Sequence, residues 1–466
     1  MNYWGATTIC WPSSTTTDVR AHETSHRTRP QKGAFFFLVV VSPPMTLDEH
    51  PMRWSTLGLL SLAELLGMSL WFAASAVSGP LGSRWSLSSA QTGWLTTIVQ
   101  LGFVCGTAFS AMLNLADVVP SKRLFAGSAF LGAIVNAAIL VAPGYSVALA
   151  LRFLTGFCLA GVYPPAMKMI ATWFRAQRGL AIGTIVGALT VGKATPYLVH
   201  ALPNVGVDTV ILTASAGAVL AGLLVAMGFS EGPYPFAPRP FSWSLVATVV
   251  REREWRLATG GYLGHMWELY AFWTWIPAFL AASAVVSSHN SESARIVSLI
   301  AFGTIAVGGI GCVWGGLYAD RHSRERLVTI SMMASGACSL IVGLFFGMSL
   351  LILAPVALIW GFFVVADSAQ FSALVTESVP GHAVGTALTV QTSIGFLLTM
   401  ITIQGVPAIA SRIGWQWAFA VLAIGPVLGI RSIAALARAR RFATGSIPSP
   451  REPAIRDKAP QSDTGA

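Results

Sequence analysis

Two acids stand in surroundings that should exclude them. Glu64 lies in Leu62-Ala63-Glu64-Leu65-Leu66-Gly67-Met68-Ser69-Leu70-Trp71, and Glu268 in Met266-Trp267-Glu268-Leu269-Tyr270-Ala271-Phe272-Trp273-Thr274-Trp275. Each is followed by leucine and, seven residues on, by tryptophan. A carboxylate inside an apolar, membrane-length helix is costly, and such residues mark ion or proton routes. Loss of water disfavours the charged form of a carboxyl, so either acid could load a proton near neutral pH. A protonated glutamate bonded to a neighbouring helix is the purely structural alternative. His265 precedes Glu268 by three residues, so the two share a helix face. A His–Glu proton relay and a hydrogen-bonded wall both fit that spacing. No third ligand is in view, so no metal site is expected.

Two cations sit at comparable depth. Helical rise puts Arg152 about 9 Å from one membrane surface and Lys193 about 21 Å from the other. Together they could hold a carboxylate or another anion, arginine supplying a bidentate fork. Pairing of Arg152 with Glu64 or a carbonyl is the structural reading. The same rise places Glu64 about 13 Å and Glu268 about 18 Å inside, near the middle of a ~30 Å core. Trp71, Trp275, Gln100 and Gln391 are candidate substrate-binding residues; Trp267, Trp273, Tyr163 and Gln404 are further cavity-lining candidates. For any single tryptophan, an interfacial position is the commoner explanation. Lys168 and Asp367 lie nearer the helix ends, where snorkelling or an ion pair is expected.

The elements that must position these groups are membrane helices. Of 466 residues, 54% are hydrophobic and only 10% charged, against roughly a quarter charged in a soluble domain. The apolar runs are continuous and near the ~20 residues that span a bilayer, so the fold class is an all-α membrane protein. Spans are expected near 55–79, 90–113, 124–142, 146–172, 179–200, 207–229, 256–282, 295–319, 326–349, 351–376, 382–410 and 415–437. Of 29 Lys and Arg, 22 then fall on one side: five before the first span, eleven in loops and six in the tail. Only Arg84, Arg295 and Arg412 fall on the other. The positive-inside rule then places both termini in the cytoplasm. The net charge of +10 therefore reports topology and gives no reason to expect nucleic acid. Cys105, Cys158, Cys312 and Cys338 fall in expected helices without a CxxC pair, as small buried residues do.

Residues 1–52 are polar and carry one apolar run, Phe35 to Val41, too short to span. A disordered N-terminal extension is expected there, with Met45 or Met52 as alternative initiators and no signal-peptide pattern. Residues 53–229 form an N-terminal six-helix bundle and residues 256–437 a C-terminal one. Between them, 230–255 is a cytoplasmic central loop. It opens on a proline-rich stretch that cannot be helical, and Phe241 to Trp255 could lie as a short helix on the membrane surface. The tail, 438–466, is expected to be disordered. The halves repeat: Asp117 and Asp320 are 203 residues apart, Glu64 and Glu268 204, Gly156-Phe157 and Gly361-Phe362 205. Near-constant offsets mark two parallel halves related by an axis along the membrane normal.

The loop Gly316-Leu317-Tyr318-Ala319-Asp320-Arg321-His322-Ser323-Arg324-Glu325-Arg326 resembles the Gly-x-Leu-Ala-Asp-Arg-x-Gly-Arg-Arg motif of the major facilitator superfamily. The first copy, around Asp117, is degraded, with Val118 where the family has arginine. Arg152-x-x-x-Gly156 and the stretch Trp173 to Gly183 are also similar to that family, and the resemblance covers roughly residues 53–437. It implies two pseudo-symmetric six-helix bundles that rock about a midplane site lined by the first and seventh helices. It implies gating roles for Asp117, Asp320, Arg321 and Arg324, the aspartate capping a helix of the opposite half. It also offers Arg152 a role in proton release from a nearby acid.

The absence of arginine inside the second and eighth helices departs from the family's nitrate and nitrite porters. Gly187 to Gly192 lacks the Gly-Pro pair of its drug antiporters. The function implied is secondary transport of a small solute, an organic anion, coupled to protons. Glu64, Glu268 and His265 would carry the coupling, in a monomer of the plasma (inner) membrane. Proton-driven efflux of a lipophilic compound is the alternative, and a non-transporting membrane sensor the alternative of another class. No clustered nucleophile and base, cofactor motif or metal set points to an enzyme.

Overall fold

The computed structural model describes residues 50–234, 241–287 and 292–443. The side chains of residues 116, 117, 285–287, 292, 293, 442 and 443 lie outside that description. The expected N-terminal extension and most of the tail also lie outside it. Among the described residues the chain is helical throughout, without a strand.

The N-terminal half comprises α1 (Arg53–Met68), α2 (Ser89–Met112), α3 (Ser121–Val141), α4 (Tyr145–Ala171), α5 (Arg178–His200) and α6 (Val207–Gly228). The C-terminal half comprises α7 (Arg253–Ser287), α8 (Glu292–Arg321), α9 (Arg324–Phe345), α10 (Leu350–Glu377), α11 (Gly381–Ile413) and α12 (Trp415–Arg441). Ten of these are long and apolar enough to cross a membrane. The other two, α1 and α7, are the helices that carry Glu64 and Glu268. The first is 16 residues long before it breaks, and the second spends its length on Glu, His, Gly, Tyr and Trp. Among the described residues, ten of the twelve expected spans thus have the length and composition of a membrane crossing.

The repeat visible as a sequence offset reappears as packing. In the N-terminal half α2 packs on α4, α3 on α6, and α1 on α5 and α6. In the C-terminal half α8 packs on α10, α9 on α12, and α7 on α11 and α12. Each pairing is the other shifted by six helices. The halves meet along α5–α8 and α2–α11, which exchange under the same shift. Small residues permit the first seam: a Cβ on Gly183 would stand 2.6 Å from the Cys312 carbonyl, and one on Gly187 2.7 Å from that of Gly309. Glycine at four-residue spacing lets two helix backbones touch.

Helix ends follow local chemistry. Ser88 opens α2 with a capping box, its hydroxyl accepting from Gln91 N while Gln91 Oε1 accepts from Ser88 N. Such reciprocal bonds satisfy two of the orphan donors at a helix start. Ser323, at the second glycine of the loop motif, caps α9 by accepting from Arg326 N. The connector between halves forms a helix over Trp243–Arg251, shorter than Phe241 to Trp255. Its entry is tied to both halves: Phe241 N donates to Asn114 Oδ1 on one side and Ser242 N to Thr386 Oγ1 on the other.

Candidate functional site

The first helix breaks where it is most needed. After Met68 the backbone turns through Ser69 to Phe72 and resumes as Ala73–Ala76 and Ser78–Trp85. A break frees carbonyls that nothing in a dry interior can solvate. Arg152, fully buried on α4, supplies the donors: Nη1 to Leu70 O at 3.0 Å, Nη2 to Trp71 O, and Nε to Leu95 O at 3.2 Å. Asn136 Oδ1 lies 3.5 Å from Nη1. The guanidinium is thus committed to backbone, the structural reading of this residue. Arg152→Ala would leave two or three buried carbonyls without donors, each costing about 1–3 kcal/mol. The expected outcome is a lower melting temperature in detergent, and an unchanged one would contradict this role.

Trp71 divides the two buried cations. Its carbonyl takes Arg152, and its ring takes Lys193, whose Nζ stands 4.2 Å from the ring centroid. The Lys193 ammonium also lies 4.8 Å from the Tyr270 ring and 5.0 Å from that of Trp273, and donates to Tyr270 Oη at 2.7 Å. Lys193 comes from α5, Trp71 from the break after α1, and the other two rings from α7. The cation therefore sits on the seam between halves, inside an aromatic box. Gly192 lets it in: a Cβ there would collide with the Leu65 carbonyl, so α5 touches α1 beside Glu64.

Glu64 is completely buried, and neither carboxyl oxygen has a hydrogen-bond partner among the described residues. α1 meets α5 at Leu65 and Gly192, the residues next to Glu64 and Lys193. Glu268 differs. Its Oε1 accepts from Trp360 Nε1 at 2.7 Å and its Oε2 from Ser335 Oγ at 2.8 Å, which ties α7 to α10 and α9. His265 turns away from Glu268 in its bonding: Nδ1 lies 3.0 Å from Asp367 Oδ1 and Nε2 2.9 Å from Ser368 Oγ. Asp367 thus stands within contact distance of a histidine.

A cavity of about 760 Å³ runs from Phe103 and Tyr163 in the protein's middle to the helix ends on the basic face, where Arg178, Arg324 and Glu377 line it. At the opposite face the halves are shut. Trp275 packs over Gly93 and donates to Ile403 O at 2.7 Å, and Gln404 Nε2 donates to Thr97 Oγ1 at 2.9 Å. None of the six expected substrate-binding residues lines the open cavity. Arg152, Lys193 and Trp71 lie beyond its inner end, and Trp275 stands in the closed seam. Gln100 and Gln391 are buried, with both side-chain atoms of Gln100 and Nε2 of Gln391 unpartnered.

The loop residues fall at the basic face. Asp320 Oδ2 accepts from Leu180 N at 3.2 Å, so an α8 carboxylate caps the start of α5 across the seam. Arg324 bonds Glu377 Oε1 at 2.9 Å and Gln370 Oε1 at 2.8 Å, both on α10. Arg321 is exposed, and the side chain of Asp117 lies outside the described residues. Residues 57–403 match the Major Facilitator Superfamily. The chain belongs to that superfamily.

Within the superfamily, the niacin transporter NiaP of Acinetobacter baylyi is 30% identical over 144 residues, 27% of this chain and 32% of that protein. The uncharacterized transporter YgaY of Escherichia coli is 24% identical over 153 residues, 32% of this chain and 37% of its own. The transporter asaE of Aspergillus flavus is 23% identical over 256 residues, 54% of this chain and 55% of its own. The chain thus spans about a third to a half of the length of these relatives. A bacterial homolog of the human lysosomal transporter Spinster, in an inward-facing and unoccupied conformation, superposes with a TM-score of 0.61. It is 17% identical, over 86% of this chain and 100% of that one. That likeness is one of fold: a multi-pass helical membrane protein of the superfamily architecture.

Sequence reasoning singled out the acids, the cations and Trp71, and missed Tyr270, Phe103, Phe396, Trp360 and Ser335. Helical periodicity carried a signal for Tyr270. It lies two residues, about 200° of helix, from Glu268, so one residue faces its own bundle and the other the seam.

Proposed function

We propose that this protein is a secondary transporter that moves a small organic anion with protons by alternating access. The observation that carries the reading is Lys193, a buried ammonium enclosed by side chains of both halves at the closed end of an open cavity. An anion reaching it gains charge-assisted bonds, and a lysine on the seam senses which way the halves lean. Glu64 is the proton carrier in this reading, because α1 touches α5 at Leu65 and Gly192, next to Glu64 and Lys193, and its carboxyl has no hydrogen-bond partner among the described residues. When Glu64 is neutral, Lys193 is free to pair with cargo; when cargo leaves, Glu64 releases its proton and pairs electrostatically again. Glu268 and the His265–Asp367 pair form a second polar set within the C-terminal half, which stiffens the half that rocks and can relay protons inside it. The relative named for niacin, a small carboxylate, agrees with the anion class.

The cavity faces the side where basic loops concentrate, which supports an inward-open chain in the plasma membrane with cytoplasmic termini. The monomer is the working unit in this reading. Asp320 is a gate residue: its carboxylate at the α5 N-terminus contributes about 0.3–1 kcal/mol. Asp320→Asn should weaken that clasp and raise the reactivity of the native, buried Cys312 on α8, whose carbonyl meets Gly183 in the α5–α8 seam; unchanged labelling would remove the gate role. A second reading, proton-driven export of a lipophilic compound, draws on the apolar cavity wall of Phe103, Met167, Ile182 and Leu388. Counterflow in proteoliposomes against a panel of organic anions, amines and sugars separates the two. Exchange of anions is expected, and exchange of amines or sugars alone would sink the anion reading.

A further inference from the structure

We infer that the cargo is a flat aromatic monocarboxylate: rings from both halves pack in a continuous series from the open cavity to the Lys193 ammonium, and two of the rings that enclose it, Trp71 and Trp273, carry buried indole N–H groups without a partner among the described residues. The inference rests on the anion reading above and narrows it to one chemical class.

The path starts at Phe103, the innermost aromatic of the cavity. Phe103 lies 4.8 Å from Phe396 and 5.2 Å from Trp71, centroid to centroid. Phe396 in turn lies 5.1 Å from Tyr270 and 5.8 Å from Trp71. Trp71 and Tyr270 are the rings that hold Lys193. The rings come from the α1 break, α2, α7 and α11 and pack on one another, so a molecule moving from the cavity to the lysine would slide between them. Such a slot rewards a flat π-system by stacking and edge-to-face contact. The ring faces themselves offer no hydrogen-bond donor to hydroxyls or to a second carboxylate, which disfavours sugar acids and dicarboxylates.

At the end of the path the chemistry changes. Of the rings around Lys193, Trp71 Nε1 and Trp273 Nε1 are buried without a partner among the described residues, as are Tyr197 Oη, one turn along α5, and the Gln100 amide of α2. One ionised carboxyl accepts several such bonds, and the ammonium supplies the charge. The ring faces of Trp71, Tyr270 and Trp273 and the Tyr270 hydroxyl are the partners of Lys193 in the structure. A carboxylate takes over that task with stronger bonds and leaves the faces open for the cargo's own ring. Lys193 is 2% exposed, so loading requires the rings to part as the halves move.

The test is counterflow of radiolabelled benzoate by the purified full chain in proteoliposomes, with cyclohexanecarboxylate and benzylamine run beside it. Cyclohexanecarboxylate matches benzoate in charge and nearly in size but has no π-system. Benzoate is expected to exchange about tenfold faster than cyclohexanecarboxylate, the factor that ring contacts supply. Trp71→Leu should collapse that ratio, and Trp71→Phe, which keeps a ring, should preserve most of it. Equal exchange of the two acids by the unmodified chain would overturn the aromatic class and leave the anion reading standing. Exchange of benzylamine alone would overturn both, and exchange of neither acid would overturn the inference whatever the variants do.

Discussion

Lys193→Gln should lower affinity for carboxylate cargo about ten- to hundredfold, because a hydrogen bond to a charged group contributes about 1.5–3 kcal/mol. Glutamine keeps a donor and nearly the length of the stem, and it removes only the charge. The variant should reach the membrane and fold, since among the described residues the ammonium makes one side-chain hydrogen bond, to Tyr270, and otherwise meets the ring faces of Trp71 and Trp273. Lys193→Arg is the informative companion. A guanidinium on the same stem retains the charge but is planar and wider, so affinity should recover in part and selectivity between carboxylates should shift. Counterflow KM and maximal rate for both variants make the check. An unchanged KM in Lys193→Gln would remove this residue from the binding site.

Glu64→Gln should separate accumulation from exchange. A permanently neutral side chain mimics the loaded state, so anions should still exchange across the membrane, while a pH gradient should no longer drive their accumulation. The unmodified protein should concentrate its cargo in response to pH. One proton with one monoanion moves no net charge, so the membrane potential does no work on the step, and one pH unit is worth about 1.4 kcal/mol, about tenfold in concentration. Accumulation that follows an imposed potential and ignores pH would contradict this pairing. Glu268→Gln offers the contrast. Its amide can still accept from Trp360 and donate to Ser335, so coupled uptake should persist, whereas Glu268→Ala leaves the Trp360 N–H bare at a cost of about 1–3 kcal/mol and should lower the melting temperature.

The architecture was legible because it is written in quantities that survive without neighbours: apolar run length, charge asymmetry and a near-constant offset. The offset anticipated that helix pairings recur shifted by six. Glu64 and Glu268 were legible as anomalies, but their environments were not, since equivalent places in a repeat need not keep equivalent neighbours. Trp360 and Ser335 satisfy one acid, while the other is left bare. The break after Met68 could not be read locally either. Ser69 to Phe72 has ordinary helix formers, and the unwinding is stabilised by Arg152, which lies 82 residues from Leu70. His265 followed the same rule: its spacing to Glu268 suggested a pair, and Asp367 on a distant helix took it. Position along a helix indicates which face a residue shares, and only packing decides what stands opposite.

Calorimetric titration of the purified chain with its best-exchanged carboxylate, in buffers of different ionisation enthalpy, weighs cargo and proton in one experiment. About one proton should be taken up per anion bound by the unmodified chain, and none by Glu64→Gln at comparable affinity. Binding without proton uptake in the unmodified chain, or undiminished uptake in Glu64→Gln, would contradict the meeting of anion and proton at Lys193 and Glu64.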